Sequence, residues 1–98
     1  MEEQKKIQAL VLDKKDNVAT SIVEIRAQDT ALIQFPDGSK TEVVVDAYIP
    51  KYHKLALRNI LADELVKKYG YPIGRSIKEI KKGEHVHTHN ITSEQEAK

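Results

Sequence analysis

The fold is decided by the stretch Thr30-Ala31-Leu32-Ile33-Gln34-Phe35-Pro36-Asp37-Gly38-Ser39-Lys40-Thr41-Glu42-Val43-Val44-Val45. Proline presets φ at the first turn position and glycine accepts a positive φ, so Pro36-Asp37-Gly38 predicts a tight turn. β-branched and aromatic side chains, which favour strands, lie on both sides of that turn. The stretch therefore predicts a β-hairpin with strands at 30–35 and 41–45.

Short apolar runs closed by turn-forming residues continue this pattern on both sides of the hairpin. Upstream, residues 7–12 and 18–25 each predict a strand, with the polar turn 13–17 between them. Downstream, residues 46–50 predict a connection, and the imperfect alternation of residues 53–58 gives a weaker strand signal.

Residues 59–69 fit two secondary structures. Their apolar side chains have helical spacing, with Asn59 available as an N-cap, but the same residues fit a turn and a short strand at 65–67. After them, Gly70, Pro72 and Gly74 predict that no long regular element forms between these three positions.

The C-terminal third combines a connection with a second alternating pattern. Residues 75–82 predict one short helical turn at most, and Gly83 closes it as a C-cap. Residues 84–90 alternate and predict a strand, whereas residues 92–98 predict a flexible polar tail.

The composition limits the classes of function. The 98 residues suffice for one mostly β domain, 1–98, with its core at about 7–91. Sixteen Lys and Arg against fifteen Asp and Glu give a net charge of +1, which argues against a nucleic-acid binder. The absence of cysteine excludes a disulfide scaffold and a thiolate metal site. Five aromatic residues make a thin core, so we expect a partner or a homo-oligomer.

Membrane and targeting signals are not found in the sequence. No apolar run approaches the ~18 residues that a membrane helix requires. The charged N-terminus leads into only a short apolar run, which is not the pattern of a signal peptide. We therefore expect a soluble, cytoplasmic protein without a membrane partner.

The segment 83–90 carries three histidines at alternate positions, His85, His87 and His89. On a strand, alternate residues face the same way, so the three imidazoles would form a row. Imidazole is a ligand for Zn, Fe, Cu and Ni, which makes the row a candidate metal site. The alternative is a solvated strand face. A fourth histidine, His53, is remote in sequence, and the sequence does not show whether it joins the row.

A second candidate cluster combines His53, Lys54 and Arg58. Cations beside a titratable imidazole can hold an anionic substrate and move protons near neutral pH. The alternative is a solvated strand edge. The basic, tyrosine-containing segment 67–75 has glycines that can aim backbone N–H groups at an anion, although a tight corner between strands is the simpler interpretation.

Taken in order, four motifs resemble one known family. They are Asp16-Asn17-Val18-Ala19, Ile49-Pro50-x-x-His53-Lys54-x-Ala56-Leu57, Lys68-Tyr69-Gly70-x-Pro72-Ile73-Gly74 and Gly83-Glu84-His85-Val86-His87-x-His89-Asn90. The chain resembles the N-terminal SAF-type domain of altronate dehydratases, which is similar to the small subunit of sulfolactate sulfo-lyases. The resemblance spans residues 16–90. Tyr52 departs from it, because relatives usually carry glycine before the His-Lys pair.

The resemblance implies a small SAF-type β-clip domain of short strands, with one or two short helical turns. It also implies that residues 60–69 form a turn and a short strand, and that residues 75–82 are a connection. Such proteins are lyases that remove water or sulfite from a 2-hydroxy acid of the sugar-acid type, with most of the machinery in a larger catalytic domain or subunit. A chain of this kind would be inactive alone.

The resemblance also implies roles for individual residues. His53 would hydrogen-bond the substrate or shuttle a proton, while Lys54 would bind the anionic sugar acid or sulfonate. Arg58 is a candidate for binding the same anion only through its place in the cluster with His53 and Lys54. A divalent metal, Fe(2+) above all, would be held mainly by the larger subunit, with His85, His87 and His89 as the candidate ligands on this chain. Two alternatives are a stand-alone sugar-acid binding module and a metal-binding domain that uses the histidine row.

Overall fold

The computed structural model describes residues 6–93, which form short β-strands joined by turns. The strands are β1 Ala9–Leu10, β2 Val18–Ser21, β3 Thr30–Gln34, β4 Lys40–Val44, β5 Lys54–Ala56, β6 Leu65–Lys68, β7 Tyr71–Ser76, β8 His85–Val86 and β9 Ile91–Ser93. No helix occurs within residues 6–93, so the mostly β class is confirmed and the expected short helical turns are not found.

Two antiparallel-rich sheets share these strands. Six strands lie in the order β4-β3-β1-β2-β5-β8, and three lie in the order β6-β7-β9. The larger sheet packs around Ile25, Ile33 and Leu55, and a second apolar cluster forms around Ile60 and Ile80. All five side chains are almost fully buried, which is how short strands with few aromatic residues still form a core.

The polar pair Asp16 and Asn17 ties the two sheets together. The Asp16 carboxylate accepts hydrogen bonds from the backbone N–H groups of Tyr69 and Gly70, at 3.0 and 2.8 Å. The Asn17 amide donates to one backbone carbonyl of β6 and accepts from one N–H of that strand, at 2.9 and 2.8 Å. Both residues are buried, and buried polar groups need such partners. Asp16 of the motif at residues 16–19 therefore makes a structural contact with the motif at residues 68–74, which belongs to the same family resemblance.

The predicted hairpin is confirmed, with β3 and β4 paired antiparallel around the turn at 36–38. For residues 59–69, the turn and short strand are confirmed and the helix is wrong, because Ile60 pairs with Ile80 in an isolated bridge and β6 follows. The bridge and the strand bury Ile60 and Val66, whereas Leu61 and Tyr69 of the apolar pattern are exposed.

The expectation that residues 70–74 hold no long regular element is wrong, since β7 spans Tyr71–Ser76. Pro72 is tolerated because it lies opposite Lys67, next to a register shift in β6. Strand β9 pairs only with residues 74–76 of β7, so the missing N–H of Pro72 interrupts no ladder on that side.

Two further expectations fail near the C-terminus. Residues 84–90 do not form one strand, because β8 ends at Val86 and residues 87–90 turn. Strand β9 continues to Ser93, beyond the predicted start of the tail at residue 92, whereas residues 94–98 lie outside the described range. Within residues 6–93, no helix is long and apolar enough to cross a membrane.

Candidate functional site

The pairing of β5 with β8 brings a remote histidine to the histidine row. The strands are antiparallel, with Leu55 opposite His85. Two residues further along this register, His53 lies across from His87, and their ring centroids are 4.2 Å apart with planes at 18°. His85 is then the diagonal neighbour of His53, with a centroid separation of 5.1 Å. Direct and diagonal cross-strand neighbours are the side chains that meet on one sheet face.

These three side chains place imidazole nitrogens close together. His53 Nδ1 and His85 Nε2 are 2.9 Å apart, so one of them donates a hydrogen bond and the other accepts it. One nitrogen from each of His53, His85 and His87 lies within 4.8 Å of the other two. All three residues are half-buried. Such a group can share a proton, contact an anion or bind a metal ion.

A tight turn presents His53. The His53 N–H donates to the Pro50 carbonyl at 3.0 Å, and Ser21 fixes both ends of the turn. The Ser21 hydroxyl donates to the Pro50 carbonyl at 2.8 Å, and its N–H donates to the His53 carbonyl at 2.8 Å. Ser21 is fully buried, so it is a positioning residue, and no pattern in the sequence singles it out.

The turn keeps its geometry despite Tyr52. This residue has φ of +70°, the region that favours glycine, and its side chain is 65% exposed. Its N–H donates to the Ser21 carbonyl at 3.0 Å. Tyrosine at this position therefore leaves the turn closed and adds an aromatic ring to the surface beside His53.

Asn90 presents the other two histidines. Its side-chain oxygen accepts from the His87 N–H at 2.9 Å, and its side-chain nitrogen donates to the His85 carbonyl at 2.8 Å. Asn90 is fully buried and folds the 87–90 turn around its amide. This asparagine bends the chain away from the strand that the alternating pattern predicted.

His89 is exposed beyond the bend and is not part of the nitrogen cluster. Its ring lies 5.1 Å from that of His85, with planes tilted by 36°. The structure therefore brings together His53, His85 and His87, with His89 at their edge.

The environment favours neutral imidazoles. Burial, followed by the charges of His89 and His53, lowers the pKa of His85 to about 4. Burial and the charge of His53 also lower the pKa of His87. In addition, His87 Nδ1 is buried without a hydrogen-bond partner among the described residues. At neutral pH both rings are therefore neutral and each keeps an unprotonated nitrogen, which suits them to ligate a metal.

Lys54 lies beside the cluster, and Arg58 does not. Burial lowers the pKa of Lys54, and the charge of Lys68 lowers it further. The charge of Lys54 in turn contributes to the lowered pKa of His85. The Arg58 guanidinium instead forms an ion pair with the Glu64 carboxylate and lowers the pKa of that carboxyl.

Arg58 belongs to a different surface feature. It lines a groove of about 310 Å³ together with Lys15, Lys67 and Arg75. The candidate cluster of His53, Lys54 and Arg58 is thus divided, and Lys68, from the third resembling motif, replaces Arg58 as the second cation near Lys54.

Comparison with known proteins gives consistent matches. The family model described as the altronate/galactarate dehydratase SAF domain matches residues 7–94. The (2R)-sulfolactate sulfo-lyase subunit alpha of Chromohalobacter salexigens is 41% identical over 88 residues, which are 87% of this chain and 93% of that protein. The same-named subunit of Paracoccus pantotrophus is 41% identical over 54 residues, 55% of this chain and 81% of that protein.

Larger enzymes match as well. The altronate dehydratase of Bacillus subtilis is 36% identical over 78 residues, which are 71% of this chain. Those residues cover only 16% of the dehydratase. The chain is therefore similar to a whole small subunit in one case and to a small part of a much longer enzyme in the other.

Proposed function

This chain belongs to the altronate/galactarate dehydratase SAF-domain family, and from that membership we propose that it is the small subunit of a two-chain lyase. Its relatives are lyase subunits and a dehydratase domain. The near-complete coverage of a sulfo-lyase alpha subunit supports a separate subunit that works with a larger catalytic chain. The reaction is the elimination of water or sulfite from a 2-hydroxy acid.

The observation that carries this proposal is the cluster of His53, His85 and His87 beside Lys54. Elimination requires a base for the proton next to the carboxylate, a positive charge for the substrate anion, and assistance to the departing group. The half-buried ammonium of Lys54 supplies the charge, and His53 contributes an imidazole to the reacting groups. Cysteine is absent and the cluster contains no carboxylate, so the remaining chemical groups belong to the partner.

The position of the cluster supports a site shared between two chains. The three histidines are half-buried, and Tyr52 next to them is exposed. A larger subunit placed over this surface would exclude water and strengthen the electrostatic contacts of Lys54 with the substrate. The site would then be incomplete in either chain alone.

Co-expression with a candidate large lyase subunit from the same genome tests the proposal. We expect a stable complex that eliminates water from altronate or sulfite from sulfolactate, and no activity from either chain alone. Lys54→Met should raise KM by at least about tenfold, because it removes the contact with the substrate anion. Lys40→Met, on the exposed face of the distant strand β4, is the matched control and should leave activity unchanged.

Two results would overturn the proposal. One is the failure of the two chains to form a complex. The other is full lyase activity of the large chain without this one. If this chain alone binds a hexarate or sulfolactate, as shown by a rise in its melting temperature, and still forms no complex, it is a stand-alone binding module instead.

A further inference from the structure

We propose that His53, His85 and His87 together bind one divalent transition-metal ion on this chain. The ligand set differs from the row His85, His87 and His89 that alternation indicates, and it places the metal on the small subunit rather than mainly on the partner. The inference goes beyond the proposed lyase activity, since every ligand comes from this chain and binding requires no substrate.

The first argument is the spacing of the nitrogens. Two nitrogens that each lie at the normal distance from a tetrahedral zinc ion are about 3.4 Å apart. The His53 Nδ1 to His85 Nε2 distance is 2.9 Å, and one nitrogen of each of the three rings lies within 4.8 Å of the others. Three nitrogens at these distances can converge on one ion through small movements of the histidine side chains.

The second argument is an unsatisfied atom. Among the described residues, His87 Nδ1 is buried and has no hydrogen-bond partner. A buried polar atom without a partner is costly, and native structures rarely retain one without a reason. The atom belongs to a ring whose centroid lies 4.2 Å from that of His53, and its lone pair is not used by another group among the described residues.

Hydrogen bonds to buried side chains anchor the backbone beside the three histidines. The rings of His53, His85 and His87 are nearly parallel, with interplanar angles of 9–21°. Ligation therefore requires rotation about their Cβ–Cγ bonds, so that the lone pairs converge on one point. The buried anchors Ser21 and Asn90 hold the backbone during that rotation, which keeps the reorganisation local.

The chemistry of the ligands identifies the class of ion. Three imidazoles suit Zn²⁺, Fe²⁺, Ni²⁺ or Cu²⁺, whereas Mg²⁺ and Ca²⁺ prefer oxygen ligands. Three protein ligands also leave coordination positions open, as in catalytic rather than structural zinc sites. When bound, such an ion supplies a Lewis acid at the surface where the larger subunit would dock. His53 then acts as a ligand and Lys54 remains the contact for the substrate anion.

Titration of the purified, chelator-treated chain with Co²⁺ and Zn²⁺ tests this inference, with visible absorption and calorimetry as the readouts. We expect one ion per chain, bound more tightly than micromolar. Loss of a residue that merely supports a ligand typically weakens affinity 10–100-fold, so we expect His53→Gln and His87→Gln each to weaken binding at least about 100-fold. His89→Gln is the matched control and should weaken it less than about threefold. Circular dichroism of each variant verifies that the fold is intact.

Three outcomes would overturn the inference. They are binding weaker than micromolar, tight binding that survives His53→Gln in a folded variant, and binding that depends on His89 rather than on His53. None of them bears on whether the chain forms an active lyase complex, so a failed metal site and a failed subunit assignment are distinguishable. The measurement also needs no partner and no enzymatic activity.

Discussion

The ring of His53 stacks on the ring of His87, with centroids 4.2 Å apart, although the two residues flank different strands, β5 and β8, that are remote in sequence. The antiparallel register of β5 and β8 causes this contact, and it turns two separate motifs into one cluster.

The pH dependence of stability should report the neutral state of His85. Its pKa is lowered to about 4 in the folded chain, from an ordinary value of 6.5. Between these values the unfolded chain binds a proton that the folded chain does not, so the free energy of unfolding should decrease as pH falls from 6.5 to 4. Urea denaturation across that range measures the decrease, and NMR titration of the ring measures the pKa.

His85→Gln is the control for this dependence, because other groups also titrate in acid. The decrease between pH 6.5 and 4 should be smaller in the variant than in the natural chain. A His85 ring that titrates near pH 6.5 in the folded protein would contradict the prediction.

Asn90→Ala should destabilise the fold by about 2–4 kcal/mol, because it removes a buried amide and leaves the His87 N–H without its acceptor. Chemical denaturation gives the value. Asn59→Ala is the matched control, since the Asn59 side chain is exposed and accepts one hydrogen bond from the Lys82 N–H. It should cost less than about 1 kcal/mol. Equal losses in the two variants would show that Asn90 has no special role in the turn.

Tyr52→Gly should stabilise the isolated chain by up to about 1 kcal/mol, because φ of +70° strains a non-glycine residue. Tyr52→Ala keeps the strained φ and should not stabilise. Thermal and chemical denaturation of the two variants separate the backbone effect from loss of the aromatic ring. If both variants are destabilised alike, the tyrosine side chain contributes contacts that outweigh the strain.

The sequence predicts the hairpin at residues 30–45 well, because turn chemistry and strand propensity agree there. It predicts 84–90 poorly, since the bend depends on the buried amide of Asn90, whose partners are the backbone groups of His85 and His87. Alternation alone continues the strand through His89.

The sequence predicts which residue types form the candidate site, but it does not predict which of them come together. The residue types of His53, Lys54, His85 and His87 point to it, but the register that joins His53 to the others is a property of tertiary pairing. The spacing of Arg58 from His53 and Lys54 wrongly predicts that it joins their cluster, because its guanidinium pairs with the Glu64 carboxylate instead. The spacing of residues along the chain determines neither pairing.

Gly83→Ala should abolish folding, whereas Gly38→Ala should cost only about 1 kcal/mol. Both glycines have a positive φ, +87° and +89°, so the conformational cost is matched. A Cβ at Gly83 would clash with the backbone carbonyl of Val44, while a Cβ at Gly38 would meet nothing within 4 Å. Circular dichroism and denaturation of the pair measure the difference, and a folded Gly83→Ala of near-natural stability would refute it.

Lys54, the cation beside the histidines, interacts electrostatically with Lys68. The charge of Lys68 contributes to the lowered pKa of Lys54, after burial. Lys68→Met removes that charge and should therefore raise the pKa of Lys54, which NMR titration of the labelled lysine side chains measures directly. Lys40→Met, at the far edge of the larger sheet, should leave the pKa of Lys54 unchanged.

In the lyase complex, the same Lys68→Met should raise KM for the anionic substrate more than it lowers kcat, because a second ammonium group near Lys54 binds the anion in the ground state and the transition state alike. An unchanged pKa of Lys54 in Lys68→Met would show that the two ammonium groups do not interact. Lys68 would then not be a second cation for the substrate anion.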